Sequence, residues 1–311
     1  MTEHTLTRES PTLCFETEVV RLQRLSPCFV RVTFGGDCLA AFDDGGDLGP
    51  RDLRIKVIAP VGDTPPALVE TTGPEWYQTW LRCDPRTRGE MRTYTVRAAR
   101  LSGPRAEIDV DFVLHSADGD AGPVGPAARW ASTASVGDRM LLLGPNAACP
   151  EAYGGIEWRP PAQGGRVLLV GDETAVPAVG SILETLPASY TGHALLEVPT
   201  AEDFLPLRSH ADVEVRWLAR SGRPRGELLT RALRDVVPAR AGDAPVEVPD
   251  VDADLLWETP SSQRRPLGTP YAWIAGEAGV VRQLRRHLVG AAGVPRSSVA
   301  FMGYWRDSVA R

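Results

Sequence analysis

The sequence predicts two domains in series, an antiparallel β domain followed by a parallel α/β domain. Three observations carry this. The chain has 311 residues, more than one typical domain holds. Its first half is built of short alternating segments with turn residues between them. Its second half changes period, so that continuous apolar runs alternate with helical spacings, as in a parallel sheet crossed by helices.

The elements follow in order. Residues 15–25 and 28–34 are strand-like, separated by Ser26 and Pro27. A loop marked by Asp44, Gly45, Gly46, Asp47, Gly49 and Pro50 precedes the apolar-rich run 53–58. Over 106–115, Ile108, Val110, Phe112 and Leu114 face one way while Asp109 and Asp111 face the other. Such alternation fits a barrel or a sandwich. The run 139–143 leads into Gly144 and Pro145, and residues 152–165 form a glycine- and proline-rich linker. Val167–Val170 then reads as a strand buried on both faces. Val179, Ile182, Leu183 and Leu186 share one helix face at i, i+3, i+4 and i+7. Strand-like runs recur at 194–198, 213–218, 271–275 and 299–303, with a helix marked by Val281, Leu284 and Leu288 between the last two. The stretch of about 240–270 breaks the pattern and is expected to be an insertion, a long connection or a hairpin. No internal repeat is present.

Composition excludes several classes. Hydrophobic residues make up 43% and charged residues 24%, ordinary for a globular protein with a real core. The formal net charge of -6 argues against a nucleic-acid partner. No run of 18 apolar residues occurs, so no membrane insertion is expected, and the first ten residues hold no apolar signal core, which predicts a cytoplasmic protein. Cys14, Cys28, Cys38, Cys83 and Cys149 are scattered, with no C-x-x-C spacing. That argues against a disulfide framework and against a zinc or iron–sulfur site, so redox chemistry would come from a bound cofactor. The basic residues are almost all arginine, Lys56 being the sole lysine. Arg82, Arg86, Arg88, Arg92, Arg97 and Arg100 crowd one stretch, whereas residues 242–258 carry six acids and no base. The bland reading of either run is a solvated face.

The chemistry gathers in separated motifs along the chain. Arg92-Thr93-Tyr94-Thr95-Val96-Arg97 resembles the Arg-x-Tyr-Thr/Ser signature of the ferredoxin–NADP reductase superfamily. In such a segment Tyr94 lies against a flat isoalloxazine, Thr95 bonds near flavin N5, and Arg92 or Arg97 pairs with the FAD pyrophosphate. The bland alternative is an edge strand with a surface tyrosine. Next come Asp111-Phe112-Val113-Leu114-His115 and Gly125-Pro126-Ala127-Ala128-Arg129-Trp130-Ala131. A glycine- and proline-rich loop opening a helix offers backbone N–H groups to a phosphate, and His115 could stack on or bond the FAD. In that order, the motifs resemble the siderophore-interacting protein family, a ferric-siderophore reductase branch of the superfamily. Gly171-Asp172-Glu173-Thr174-Ala175-Val176-Pro177-Ala178, Trp273–Ala278 and Gly303-Tyr304-Trp305-Arg306 match the same family. The glycine turn is not the general Gly-x-Gly-x-x-Gly fingerprint.

The resemblance spans roughly residues 15–306 and implies the rest. It implies an FAD-binding Greek-key β-barrel over 1–157 and an NAD(P)H-binding α/β domain over 158–311. Tyr94 and Thr95 would be catalytic. Arg92, Tyr94, Thr95, Val96, Arg97, Asp111, Val113, His115, Gly125, Pro126, Ala127, Ala128, Asp172, Thr174, Ala175, Gly276, Glu277 and Trp305 would contact cofactors. Trp305 is a candidate shield or stacking partner, its bland reading being a core tryptophan. The implied activity passes electrons from NAD(P)H through FAD to a ferric siderophore, with no protein ligand to the iron and with a ferredoxin as alternative donor. Arg82, Arg86, Arg88, Arg223 and Arg225 are the candidate cationic surface for an anionic siderophore. A flavin or ferredoxin-type reductase on the same scaffold and a non-catalytic siderophore-binding module are the rival functions.

Overall fold

A computed structural model describes residues 10–46, 49–62, 64–69, 75–102, 105–114, 125–151, 153–240, 256–260 and 269–307. The chain forms two compact units, Met1–Ile156 and Glu157–Arg311.

The first unit is a seven-stranded antiparallel sheet. Its strands are β1 (Thr12–Arg24), β2 (Phe29–Gly35), β3 (Arg54–Ala59), β4 (Glu90–Thr95), β5 (Ala98–Arg100), β6 (Glu107–Val113) and β7 (Arg139–Pro145). They pair in the order β4-β3-β7-β1-β2-β6-β5, so β7 returns to lie between β3 and β1, as in a Greek key. The sheet curls as a half-barrel around one core that includes Phe15, Val32, Phe34, Ile55, Val57, Val110, Phe112 and Leu142. Helix α2 (Pro126–Thr133) lends Ala127 and Ala131 to that core. On the opposite face, α1 (Trp76–Arg82) packs Trp76 and Trp80 against Ile58, Leu141 and Leu143. Alternation explains both cores: Met140 and Leu142 point inward, Leu141 and Leu143 outward.

The acids of β6 are not solvated, contrary to a simple polar face. Asp109 and Asp111 are only 4% and 3% exposed. Thr33 donates to Asp109, Arg100 donates to both of its oxygens, and Arg31 holds Asp111 with two bonds of 2.6 and 2.8 Å. These bonds join β2, β5 and β6 side by side.

The second unit has a six-stranded mixed sheet. Its strands are β8 (Gly165–Gly171), β9 (Tyr190–Val198), β10 (Asp212–Ala219), β11 (Trp257–Glu258), β12 (Tyr271–Glu277) and β13 (Val299–Trp305), in the order β10-β9-β8-β12-β13-β11. All pairs are parallel except β11 with β13. Helices α3 (Val176–Thr185), α4 (Glu227–Val236) and α5 (Ala278–Arg285) cross between strands, and α5 and α4 cover the core that includes Leu168, Val170, Ile274 and Phe301. Within the irregular stretch 240–270, residues 256–258 reach the sheet edge, where Glu258 pairs with Arg285 at 2.8 Å. The remainder of that stretch falls largely outside the described residues. Among the described residues no helix is long and apolar enough to cross a membrane.

Candidate functional site

The register of β3 with β4 sorts the motif residues by face. Ile55 lies opposite Tyr94 and Val57 opposite Arg92, so Arg92 and Tyr94 share the side of the inner core. Arg54 lies opposite Thr95 and Lys56 opposite Thr93, on the other side. The Tyr94 ring rests 4.5 Å from Phe112, which lies 5.7 Å from Trp130 of α2. Burial pushes the Tyr94 phenol well above the ordinary tyrosine range, so it stays neutral. Arg92 is exposed, and its Nη1 donates to the carbonyl of Met91 at 2.8 Å. Thr95 is 6% exposed, and Val96 is fully buried with its N–H on the Leu53 carbonyl.

Arg97 has a different fate from Arg92. It is 8% exposed and its Nε lies 3.9 Å from Asp111, whose carboxylate is already held by Arg31. Of the two arginines offered by the sequence for a phosphate, Arg92 is the one on the surface. Asp111 and Val113 are buried in β6 and present no side chain outward. His115 lies outside the described residues.

Gly125 caps the start of α2 with its own extended backbone, and no side chain among the described residues caps that end. A Cβ on Gly125 would meet nothing within 4 Å among the described residues. Pro126 occupies the first turn, where its missing N–H costs nothing. The methyls of Ala127 and Ala128 are buried, which leaves their backbone N–H groups as what this end can offer an anion. These residues fit a bound FAD: an aromatic ring on a rigid aromatic base, an exposed guanidinium on the same strand face, and a helix start that no described side chain caps.

One pocket of this unit was not foreseen. Arg54, Ile55, Lys56, Thr93, Tyr153, Gly154 and Gly155 line an open groove of about 170 Å³. Lys56 donates to Thr93 Oγ1 at 2.6 Å, and Arg54 holds the Gly155 carbonyl through its backbone N–H. Burial, and then the neighbouring Arg54, push the Lys56 ammonium below the ordinary lysine range. The available signal was composition, a single lysine in a chain that otherwise uses arginine.

Two arginines of the candidate cationic surface at 82–88 have partners close by in sequence. Arg86 pairs with Asp84 at 2.7 Å, while Arg88 donates to the Leu81 carbonyl and lies 4.7 Å from the Trp80 ring. Both fold back on their own loop.

In the second unit the predicted residues meet where the parallel strands end. Asp172 is 3% exposed and accepts four hydrogen bonds. They come from the Thr174 N–H and hydroxyl, the Glu277 N–H and Trp305 Nε1, the last at 3.0 Å. Desolvation and the charge of Glu173 push its pKa up, and these donors oppose the rise. Gly276 is required here, since a Cβ would sit 2.7 Å from Asp172 Oδ2 and its φ is 148°. Ala175 is fully buried beneath Gly171, so its side chain packs the turn and faces no crevice. Glu277 caps α5 by accepting the Val280 N–H. Arg225, expected on the cationic surface, is corrected to an internal partner: its Nη1 lies 2.6 Å from Glu173 and its guanidinium 4.7 Å from the Trp305 ring. Arg223 is exposed and lies 3.5 Å from Glu227.

Glu173 was absent from the expected site, yet it is 1% exposed and also binds Arg220 through two bonds. Its burial is outweighed by these arginines, so its pKa is lowered. Arg220 in turn lies 3.6 Å from Glu197, whose carboxylate accepts the N–H groups of Gly226 and Leu229 at the start of α4. Among the described residues no group of His, Cys, Asp and Glu could hold a metal ion.

An antiparallel half-barrel followed by a doubly covered parallel sheet, with an Arg-x-Tyr-Thr strand on the former, is the ferredoxin reductase-like fold. Models of two families match the chain in that order. The siderophore-interacting FAD-binding domain matches residues 18–149, and the siderophore-interacting protein model matches residues 165–308. An uncharacterized protein of Mycobacterium tuberculosis is 32% identical over 93% of this chain and 89% of its own length. The NADPH-dependent ferric-chelate reductase of Escherichia coli is 32% identical over 44% of this chain and 48% of its own. Among solved structures, the siderophore-interacting protein SipS of Aeromonas hydrophila is 28% identical with a TM-score of 0.63, covering 95% of this chain and 92% of that one. A siderophore utilization protein from T. fusca is 27% identical with a TM-score of 0.66, covering 96% and 95%. The chain belongs to the siderophore-interacting protein family.

Proposed function

We propose that this protein is an FAD-dependent reductase that takes electrons from NAD(P)H and passes them to a ferric siderophore, so that Fe(II) is released. The observation that carries the reading is the placement of Arg92 and Tyr94 on one strand face, beside a helix whose N-terminus no side chain among the described residues caps. The ferric-chelate reductase of Escherichia coli, similar over 44% of the chain, supports the reaction class.

Bound FAD would supply the conversion of a two-electron donor into one-electron steps. The chain's own residues would hold and screen it. Tyr94, neutral and braced by Phe112, offers a flat apolar surface to the isoalloxazine. Arg92 and the N–H groups of Ala127 and Ala128 offer charge and donors to the pyrophosphate. Arg54 and Lys56 supply positive charge beside Thr93, suited to an anionic chelate whose hard oxygen donors grip Fe(III). Reduction weakens that grip, so no protein ligand to iron is needed.

The test is anaerobic. Purified protein should be yellow, and its flavin absorption should bleach on adding NADH or NADPH and return on adding a ferric siderophore. A colourless protein that still binds siderophore would make it a binding module. Bleaching with no response to ferric chelates, but with turnover of free flavin, would make it a flavin reductase.

A further inference from the structure

We propose that the outer edge of β10 is a self-complementary surface on which a second copy of this chain docks antiparallel, about a two-fold axis at Val215, joining two sheets into one. The inference stands on the second unit alone and is independent of the function proposed above.

The two edges of that sheet differ. β11 is only two residues long and leaves little backbone to pair. β10 closes the other side over eight residues, in an unbroken ladder with β9 from Asp212 to Ala219. It holds no proline, and none of its residues is buried. The ladder also fixes which backbone groups face outward. The Arg220 N–H bonds the Val198 carbonyl of β9. Backbone groups alternate sides along a strand, so the even-numbered residues address β9 and Val213, Val215 and Trp217 address the outside. The Val213 N–H is taken by the Ala211 carbonyl at 2.9 Å. Among the described residues no other segment bonds the backbone of Val215 or Trp217.

The side chains select a second copy as the occupant. With Val215 opposite itself, Glu214 faces Arg216 of the second copy, and Val213 faces its Trp217. The N–H groups of Val215 and Trp217 then reach the second copy's Val215 and Val213 carbonyls. Glu214 and Arg216 fall on a pair without ladder bonds, where side chains approach most closely. Within one copy these two already lie 2.8 Å apart, so docking closes a square of alternating charge. Moving the axis by one residue would set Glu214 against Glu214, or Arg216 against Arg216. Charge on an edge strand ordinarily wards off pairing, but opposite signs two residues apart match an antiparallel copy of themselves. On the other face, Val213 meets Trp217 beside Phe204, which stacks on Trp217 at 5.5 Å and is 39% exposed. An aromatic ring against a β-branched side chain is a favourable cross-strand pair. Because β10 would run antiparallel to its copy, the strand ends that lead into Asp172 and Glu173 lie at opposite ends of the joined sheet.

Sedimentation velocity on the full chain tests this. A short strand pairing buries little surface, so the dimer should appear as concentration rises. Val215→Pro removes the N–H at the axis but none that bonds β9, and should keep the chain monomeric. Glu214→Arg sets arginine against arginine and should weaken association at least about tenfold. Glu214→Arg combined with Arg216→Glu restores opposite charges in the same register and should dimerise again, which covers the case in which a single variant fails to fold. Wild-type chain that stays monomeric at its highest soluble concentration overturns the proposal. A dimer that persists in both Val215→Pro and Glu214→Arg puts the contact elsewhere and overturns it too. A folded double variant that does not regain association overturns the register, and the interface with it.

Discussion

In the first unit, ionic contacts lie across the body of the sheet: Arg31 on β2 holds Asp111 on β6, and Arg100 on β5 holds Asp109 on β6. In the second unit the central strands carry no charge over 167–171, 271–276 or 299–305, and the acids and arginines gather just past the strand ends. The contrast follows from sheet type. An antiparallel sheet can give one face to a core and use the other for polar work, so its functional side chains are placed by alternation along a strand. A parallel sheet covered on both faces leaves only its edge, and its functional side chains are placed by where the strands stop. Arg92 and Tyr94, two residues apart on the core side of one strand, are placed by alternation, whereas Asp172, Glu173 and Trp305 are placed by where strands end.

The contrast can be broken most forcefully at Glu173. Glu173→Gln leaves two guanidiniums without their shared anion in a site where the acid is 1% exposed. A loss of about 3–5 kcal/mol is expected in urea unfolding. A loss near zero would mean that the edge network is not structural at all. Asp111→Asn should cost less, about 2 kcal/mol, because the Arg31 side chain is 23% exposed and water can take over part of the pairing.

Arg92→Ala separates function from stability. Its side chain is exposed, so unfolding should change by no more than about 0.5 kcal/mol. Flavin affinity should nevertheless fall roughly tenfold, the loss of a charge-assisted contact, as seen by flavin retained after gel filtration. Unchanged flavin content would remove Arg92 from the site.

The smallest effect is a pH dependence. Burial pushes Asp109 up, but its bonds from Arg100 and Thr33 outweigh burial and hold it below the ordinary carboxylate range. A depressed folded pKa gives stability that is present above about pH 4 and is lost as pH falls through the folded value. Wild-type protein should therefore lose more stability between neutral and acid pH than Asp109→Asn does. Equal slopes would show that the pair contributes nothing to acid sensitivity.

The parts legible in the sequence were those set by local pattern. The alternation around Ile108, Val110 and Phe112 gave β6, and the spacing of Val179, Ile182 and Leu183 gave α3. Short or weakly patterned elements escaped, such as α1 with Trp76 and Trp80, and α4 with Leu229 and Leu233. In the candidate site, Tyr94 and Arg92 stood out because one strand carries both. What could not be seen depends on residues distant in sequence. Asp111 is held by Arg31, 80 residues away in sequence. Arg225 looked like surface charge until Glu173 took it inward. Lys56 and Arg54 line a pocket with Thr93 because of cross-strand register, which no single segment encodes.

The most direct measurement mixes the flavin-loaded protein with reduced nicotinamide and a ferric siderophore without oxygen, and follows Fe(II) with a ferrous-specific dye. The account expects Fe(II) to appear with wild-type protein, at a rate that falls in step with flavin content in Arg92→Ala. Fe(II) formation that proceeds equally after the flavin has been stripped, or none at all with fully loaded protein, would contradict it.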